Sequence, residues 1–124
     1  MVTMKTYYAE RTQSCGEENV WISENGVDRL LPVEPSIKVI HHAPGFQWGY
    51  AGSGPSQLAL AILLDFTKGN IQMSKDFYQR FKFEFVAKWQ DSWSITENEI
   101  HAWIKENFDN ILDKKDEDKK KFGM

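Results

Sequence analysis

The sequence predicts a single α+β domain: a small N-terminal antiparallel sheet packed on a buried central helix, with two further helices. Three observations carry that prediction. Short β-prone runs broken by turn residues fill the first third of the chain. Apolar residues then recur at helical spacing, at Leu58, Ala59, Ile62, Leu63 and Phe66. A capped amphipathic pattern, ITENEIHAWIKENF, closes the apolar part of the sequence. At 124 residues, 41% apolar and 14% aromatic, the chain has material for one core and not for two. The domain is expected over 1–108. The almost wholly charged end, 109–124, is expected to be a solvated, flexible tail.

The elements follow in order. KTYYAER has adjacent aromatics and no glycine or proline, and reads as a first strand. CGEEN punctuates it, and VWI is a second short β-prone run. Asn25-Gly26 supplies the two positive φ values of a tight hairpin, so VDRLL should pair back on VWI. Pro32 and Pro35 bracket a break, after which IKVIHH reads as a further strand. The central helix is expected from Pro55 to Lys68, with Ser53 as its N-cap and Gly69-Asn70 as its stop. Leu60 and Leu64 widen its apolar face until little of it can meet water.

Ser74 is a candidate cap for a second helix, SKDFYQRFKF, with Phe77, Phe81 and Tyr78 inward. FKFEFVAKW is ambiguous. Phe81, Phe83 and Phe85 alternate as in a strand, while Phe81, Phe85 and Trp89 also fit a helical stripe. Strong β-propensity favours a helix yielding to a strand near Lys82, with QDSW turning the chain. In the last helix Thr96 and Glu99 have the spacing of a capping box, and Ile100, Trp103, Ile104 and Phe108 make the buried stripe.

Charge excludes some function classes. Residues 1–54 carry six acids and four bases, 55–108 seven and six, and the tail five of each, for a net charge of −3. No segment has the basic excess of a nonspecific DNA binder. The longest apolar run, LALAILL, is far too short to span a bilayer, and MVTMKTYYAER does not read as a signal peptide. Cys15 is the only cysteine and is read as an inert thiol. The expectation is a soluble protein of a reducing cytoplasm, with no membrane partner and no cofactor.

The segment GFQWGYAGSGP, 45–55, is the most demanding stretch. Glycines between a strand and a helix start can turn backbone N–H groups toward an anion. The pattern lacks the lysine of a phosphate loop and breaks the dinucleotide fingerprint, since Gly52-Ser53-Gly54 is followed by Pro-Ser-Gln. Two readings stay open: tight-turn architecture, or a surface with Phe46, Trp48 and Tyr50 as contact anchors. His41 and His42 have no metal-ligand spacing, and adjacent residues of a strand face opposite ways. Asp65 reads as a boundary residue facing water, or as half of an ion pair with Arg80 or Lys82. Tyr78, Arg80 and Lys82 form a short basic-aromatic patch, diluted by Asp76 and Glu84. No nucleophile–base–orienter series is present, and the serines suit loops and caps.

The blocks GFQWGYAGSGPSQLALA (45–61), FYQRFKFEFVAKW (77–89) and WSITENEIHAWI (93–104) occur in an order that resembles a family of small uncharacterised proteins of bacteria, their phages and mobile elements. The resemblance implies that the glycine-aromatic block and the following helix form one unit. It also implies an accessory role in a phage or mobile element, such as binding a host or defence protein.

The function expected is therefore noncatalytic protein binding, through Phe46, Trp48 and Tyr50 on a loop shaped by Gly52, Ser53 and Gly54. Self-association through the aromatics is a close variant. The rival is a nucleotide or nucleic-acid binder, or an enzyme acting on one, using the Gly52–Pro55 backbone with Arg80 or Lys82 against phosphate.

Overall fold

A computed structural model of the protein describes residues 4–12 and 18–107. Cys15 and the expected tail at 109–124 lie outside the described residues. Strands β1 (Lys5–Glu10), β2 (Trp21–Glu24) and β3 (Val27–Leu30) pair antiparallel. Asn25 and Gly26 both adopt positive φ, 56° and 78°, as the hairpin between β2 and β3 requires. A fourth strand, β4 (Ser92–Thr96), adds antiparallel to β1, giving the order β3-β2-β1-β4. The expected α+β class holds: this sheet packs on a helical layer built around a buried central helix.

Four local expectations are corrected. IKVIHH is not a strand, because Glu34–Val39 forms a short helix, α1. Pro35 has the φ of a first helical turn, Glu34 suits the positive helix start, and the Ser36 hydroxyl donates to Val33 O at 2.7 Å. Those local features outweigh the β-propensity of isoleucine and valine. The central helix, α2 (Ser53–Phe66), starts with Ser53 inside it and Gly52 at the N-cap, without a side-chain cap.

The third correction concerns α3 (Ile71–Glu84), which is capped by Asn70, whose side-chain Oδ1 accepts from Met73 N at 3.0 Å. Ser74 instead sits buried within the helix and donates to Asn70 O at 2.8 Å. Fourth, 82–89 contains no strand: α3 runs to Glu84 and a 3₁₀ turn follows at Val86–Lys88. The helical stripe wins there because Phe81 and Phe85 both pack on Trp103, at 5.5 and 5.7 Å between ring centres.

The last helix, α4 (97–107), begins at the expected capping box. Thr96 Oγ1 accepts from Glu99 N, and Glu99 Oε1 accepts from Thr96 N, at 3.1 and 3.2 Å. Its Ile100, Trp103 and Ile104 are buried. Within α2, every residue from Gly54 to Leu64 is buried, so this helix forms the middle of the core. Each fully buried leucine or isoleucine there contributes about 2 kcal/mol of apolar burial.

The aromatic excess goes largely into the same core. Trp48 meets Trp93 edge-on at 5.6 Å, Trp93 stacks on Trp89 at 3.8 Å, and Trp89 leads on to Phe81. Such pairs are worth about 0.5–1.5 kcal/mol each beyond their buried area. No helix among the described residues is long and apolar enough to cross a membrane.

Candidate functional site

The glycine-aromatic segment is clamped from three sides. Arg11, just after β1, donates to Gln47 Oε1 and Trp48 O, both at 2.9 Å, and lies over the Trp48 ring at 4.8 Å. Glu18 N donates to Phe46 O. From the 3₁₀ side, Gly49 N donates to Val86 O and Trp48 Nε1 donates to Gln90 O. Gly49 needs its φ of +90°, and a Cβ on Gly54 would lie 2.7 Å from Gln47 Cβ. Those two glycines serve a turn and a close approach. The opening helical N–H of Ser56 is bonded to Gly52 O.

This packing separates the expected anchors. Phe46 and Trp48 are 4% and 1% exposed and belong to the core. Tyr50 is 52% exposed. Phe46, Tyr50, Ser53 and Gly54 do border one shallow groove of about 430 Å³. Arg80 and Lys82 are not among its lining residues. Arg80 donates to Asn107 Oδ1 at 3.0 Å, tying α3 to α4. Lys82 is buried, with its Nζ 4.3 Å from the Phe83 ring centre.

The histidines belong to another arrangement, centred on Gln57. Gln57 is fully buried in α2, and its amide is bonded on both sides. Its oxygen accepts from His42 N and Ala43 N at 2.7 and 3.0 Å. Its nitrogen donates to Ser36 Oγ and Ile40 O at 2.8 and 3.1 Å. The 40–43 turn is thereby fixed against α1 and α2. His42 Nε2 lies 2.9 Å from the Tyr78 hydroxyl. Burial holds its imidazole below the usual histidine range, and Lys82 and His41 add to the effect.

Asp65 is neither facing water nor paired with Arg80 or Lys82. It accepts from Tyr7 Oη at 2.6 Å, Lys5 Nζ at 3.2 Å and Arg29 Nη2 at 3.3 Å. Burial alone would raise its pKa, but hydrogen bonds from Tyr7 and Lys5, the Lys5 charge and Arg29 hold it below the carboxylate range. The same burial and carboxylate push the Tyr7 phenol far up. This cluster joins β1 and β3 to the end of α2.

A broad surface feature lies across the sheet from these helices. Lys5, Tyr7, Ala9, Ile22, Trp93 and Ile95 point inward, so the alternate positions share the outer face. The pairing puts Leu30, Trp21, Tyr8 and Ser94 in one row across all four strands. Beside it run Asp28, Ser23, Thr6 and Thr96, with Glu10 opposite Ser92. None of these residues is buried. A shallow depression of about 810 Å³ lies there, bordered by Thr6, Tyr8, Glu10, Ser23, Asp28 and Ser94. Partial desolvation, then the Asp28 charge and hydrogen bond, raise the Tyr8 phenol. Two carboxylates and no cationic side chain occupy the outward strand positions. Sequence reading missed this face because β4, which completes it, reads as a turn before a helix. The alternation in KTYYAE was the available signal.

No group of three or more histidine, cysteine or acidic side chains placed to hold a metal occurs among the described residues. A family model described as a family of unknown function (DUF6166) matches residues 7–106, and the chain belongs to that family. No curated protein and no solved structure matches it.

Proposed function

We propose that this member of a family of unknown function is a noncatalytic protein-binding protein, whose contact surface is the open face of its sheet. The observation that supports this is the row Leu30–Trp21–Tyr8, set beside Asp28 and Glu10 with no cation at the outward positions. The occupant is a partner protein presenting lysine or arginine. A cation meets both a carboxylate and an aromatic face there, and each interaction favours it. Phosphate would meet two like charges, which speaks against nucleic acid on this surface.

A second copy of the chain fits less well. β3 is an edge of the sheet, and a continuous sheet would require facing residues of two β3 strands to share a face. The registers that overlap most of the strand then set Asp28 against Asp28, or Arg29 against Arg29. Like charges directly opposite destabilise strand pairing. An accessory role in the cytoplasm of a host, for a phage or mobile element, accords with the motif resemblance.

A peptide array of lysine/arginine-rich, neutral and acidic sequences tests the reading. Selective retention of the basic peptides, weakened by raised salt and lost in an E10Q/D28N variant and in W21T, is the expected result. Retention that ignores peptide charge, or that persists in E10Q/D28N, overturns it. Loss on Tyr50→Ala alone would move the contact to the groove beside α2.

A further inference from the structure

The helical layer carries a groove whose walls are apolar and whose only charges are positive. It has a volume of about 520 Å³ and lies between α1, the end of α2 and the start of α3. Pro35, Lys38, Val39, Leu64, Ile71 and Lys75 line it. Leu64 is its buried member, whereas Ile71 is 52% exposed, a large apolar side chain left open to water. Gly69 borders it at the turn between α2 and α3, where a Cβ would meet no atom within 4 Å, so the groove is open there. No acid among the described residues lines it. Glu34, one turn before Lys38, and Asp76, next to Lys75, lie outside the lining, and Asp76 accepts from Gln72. The ion pairs of the described residues use Lys5, Arg11 and Arg29, not Lys38 or Lys75. The carbonyls that end α2 are taken, since Leu63 O and Leu64 O accept from Thr67 N and Gly69 N. α3 begins at Ile71 and brings the positive end of its dipole to the same place.

We propose that this groove binds a small amphipathic carboxylate, of the kind that a medium-chain fatty acid exemplifies. The alkyl chain lies on Val39, Leu64 and Ile71, and the carboxylate meets Lys38 and Lys75. Size and charge both point to that occupant. The volume falls within the range of about 300–1,000 Å³ of small-molecule sites, whose usual lining is apolar with a few polar groups. A stable protein interface takes about 20 residues or more from each side, far beyond the seven that line this groove. Each lysine adds its apolar stem to the wall while its ammonium reaches the anion. An alkylammonium of the same length would bring like charge to both lysines. The site shares no lining residue with the depression on the open sheet face, so it stands or falls independently of that surface.

The test is a titration of the ¹⁵N-labelled protein with decanoate, below its micelle threshold and at constant ionic strength, followed by NMR. Acetate and decyltrimethylammonium are the comparison probes. The expected result is saturable movement of the Val39, Leu64, Gly69, Ile71 and Lys75 amides with decanoate and none with acetate. Decyltrimethylammonium should bind about tenfold more weakly or worse. Loss of the two charge-assisted contacts should weaken decanoate binding about tenfold in K38Q/K75Q. Both lysines are exposed, so that variant keeps the fold, and K105Q, on α4, should bind as the wild type does. The absence of a saturable response to decanoate overturns the proposal. So does equal binding of the two decyl probes, or equal decanoate binding in K38Q/K75Q and K105Q. A matching response to acetate overturns it too, since the apolar walls would then play no part. Shifts centred on Thr6, Tyr8 and Ser23 would overturn it and place the apolar contact on the sheet.

Discussion

The two ends of α2 each hold a buried lysine, and their surroundings differ in kind. At the C-terminal end Lys5, 8% exposed, meets Asp65, which also binds Tyr7 and Arg29. Toward the N-terminal end Lys82 is as buried, but the locking is done by neutral groups, with Gln57 bonded to Ser36, Ile40, His42 and Ala43. In the first cluster the charges neutralise one another and join the sheet to the helix. In the second, the neutral amide does the joining, and the Lys82 stem packs without an ion pair among the described residues. Burial alone therefore does not say whether a lysine is structural; its partners do. Substitutions that remove charge from one end and hydrogen bonds from the other separate the two roles.

The largest effect is expected at Asp65. Asp65→Asn keeps the shape but leaves Lys5 buried beside a neutral amide, which should cost about 3 kcal/mol. Urea midpoints at neutral pH measure it. The pH dependence has a definite sign. The folded carboxyl titrates below its ordinary value of 3.8, so its contribution is complete above that value. The contribution is lost as pH falls through the lower, folded value. Asp65→Asn should lack this acid limb, and an unchanged limb would show that other carboxylates carry it.

Gln57→Ala should come next, at about 2 kcal/mol, because it strands two N–H donors, one carbonyl and one hydroxyl. Hydrogen exchange gives the sharper readout. The amides of His42 and Ala43 should lose protection while those of β1 and β2 keep theirs. Equal loss throughout would mean that the turn and the sheet open together.

What the sequence made legible divides along the same line. The Asn25-Gly26 hairpin, the Thr96–Glu99 box and the buried α2 stripe were readable because each is encoded within a few neighbouring residues. β4 was not, since Ser92–Thr96 becomes a strand only by pairing with Thr6–Glu10 at the other end of the chain. For Asp65 the sequence offers only a water-facing boundary position or a pair with the neighbouring Arg80 or Lys82, whereas the fold brings Lys5 and Arg29. The alternation of Phe46, Trp48 and Tyr50 was visible. Which of them faces inward depends on Arg11, Val86 and Gln90, none of them local. The outer sheet face was hidden for that reason: it is made by distant segments.

His42 should have a smaller influence, under about 1 kcal/mol, on a partly exposed ring. Its folded pKa lies below the ordinary 6.5, with burial the main cause. Between those two values the unfolded chain binds a proton that the folded chain declines, so stability rises with pH across that window. His42→Gln should flatten the slope just below pH 6.5 while leaving the Asp65 limb intact. A slope unchanged in that variant would show that His42 does not carry it.

The smallest expected effect is the most discriminating, and it compares the lysines directly. Lys5→Met removes one of three donors from Asp65, whose charge stays partly compensated by Tyr7 and Arg29, and should cost about 1 kcal/mol. Lys82→Met removes the charge at the end of a buried stem and keeps an apolar stem of similar length. Its stability should stay within about 0.5 kcal/mol of wild type, because the packing of the stem is kept and no ion pair among the described residues is lost. Thermal melts of the two variants measure the difference. If Lys82→Met instead melts as far below wild type as Lys5→Met does, Lys82 is held by packing the fold depends on. The contrast between the two ends of α2 would then disappear.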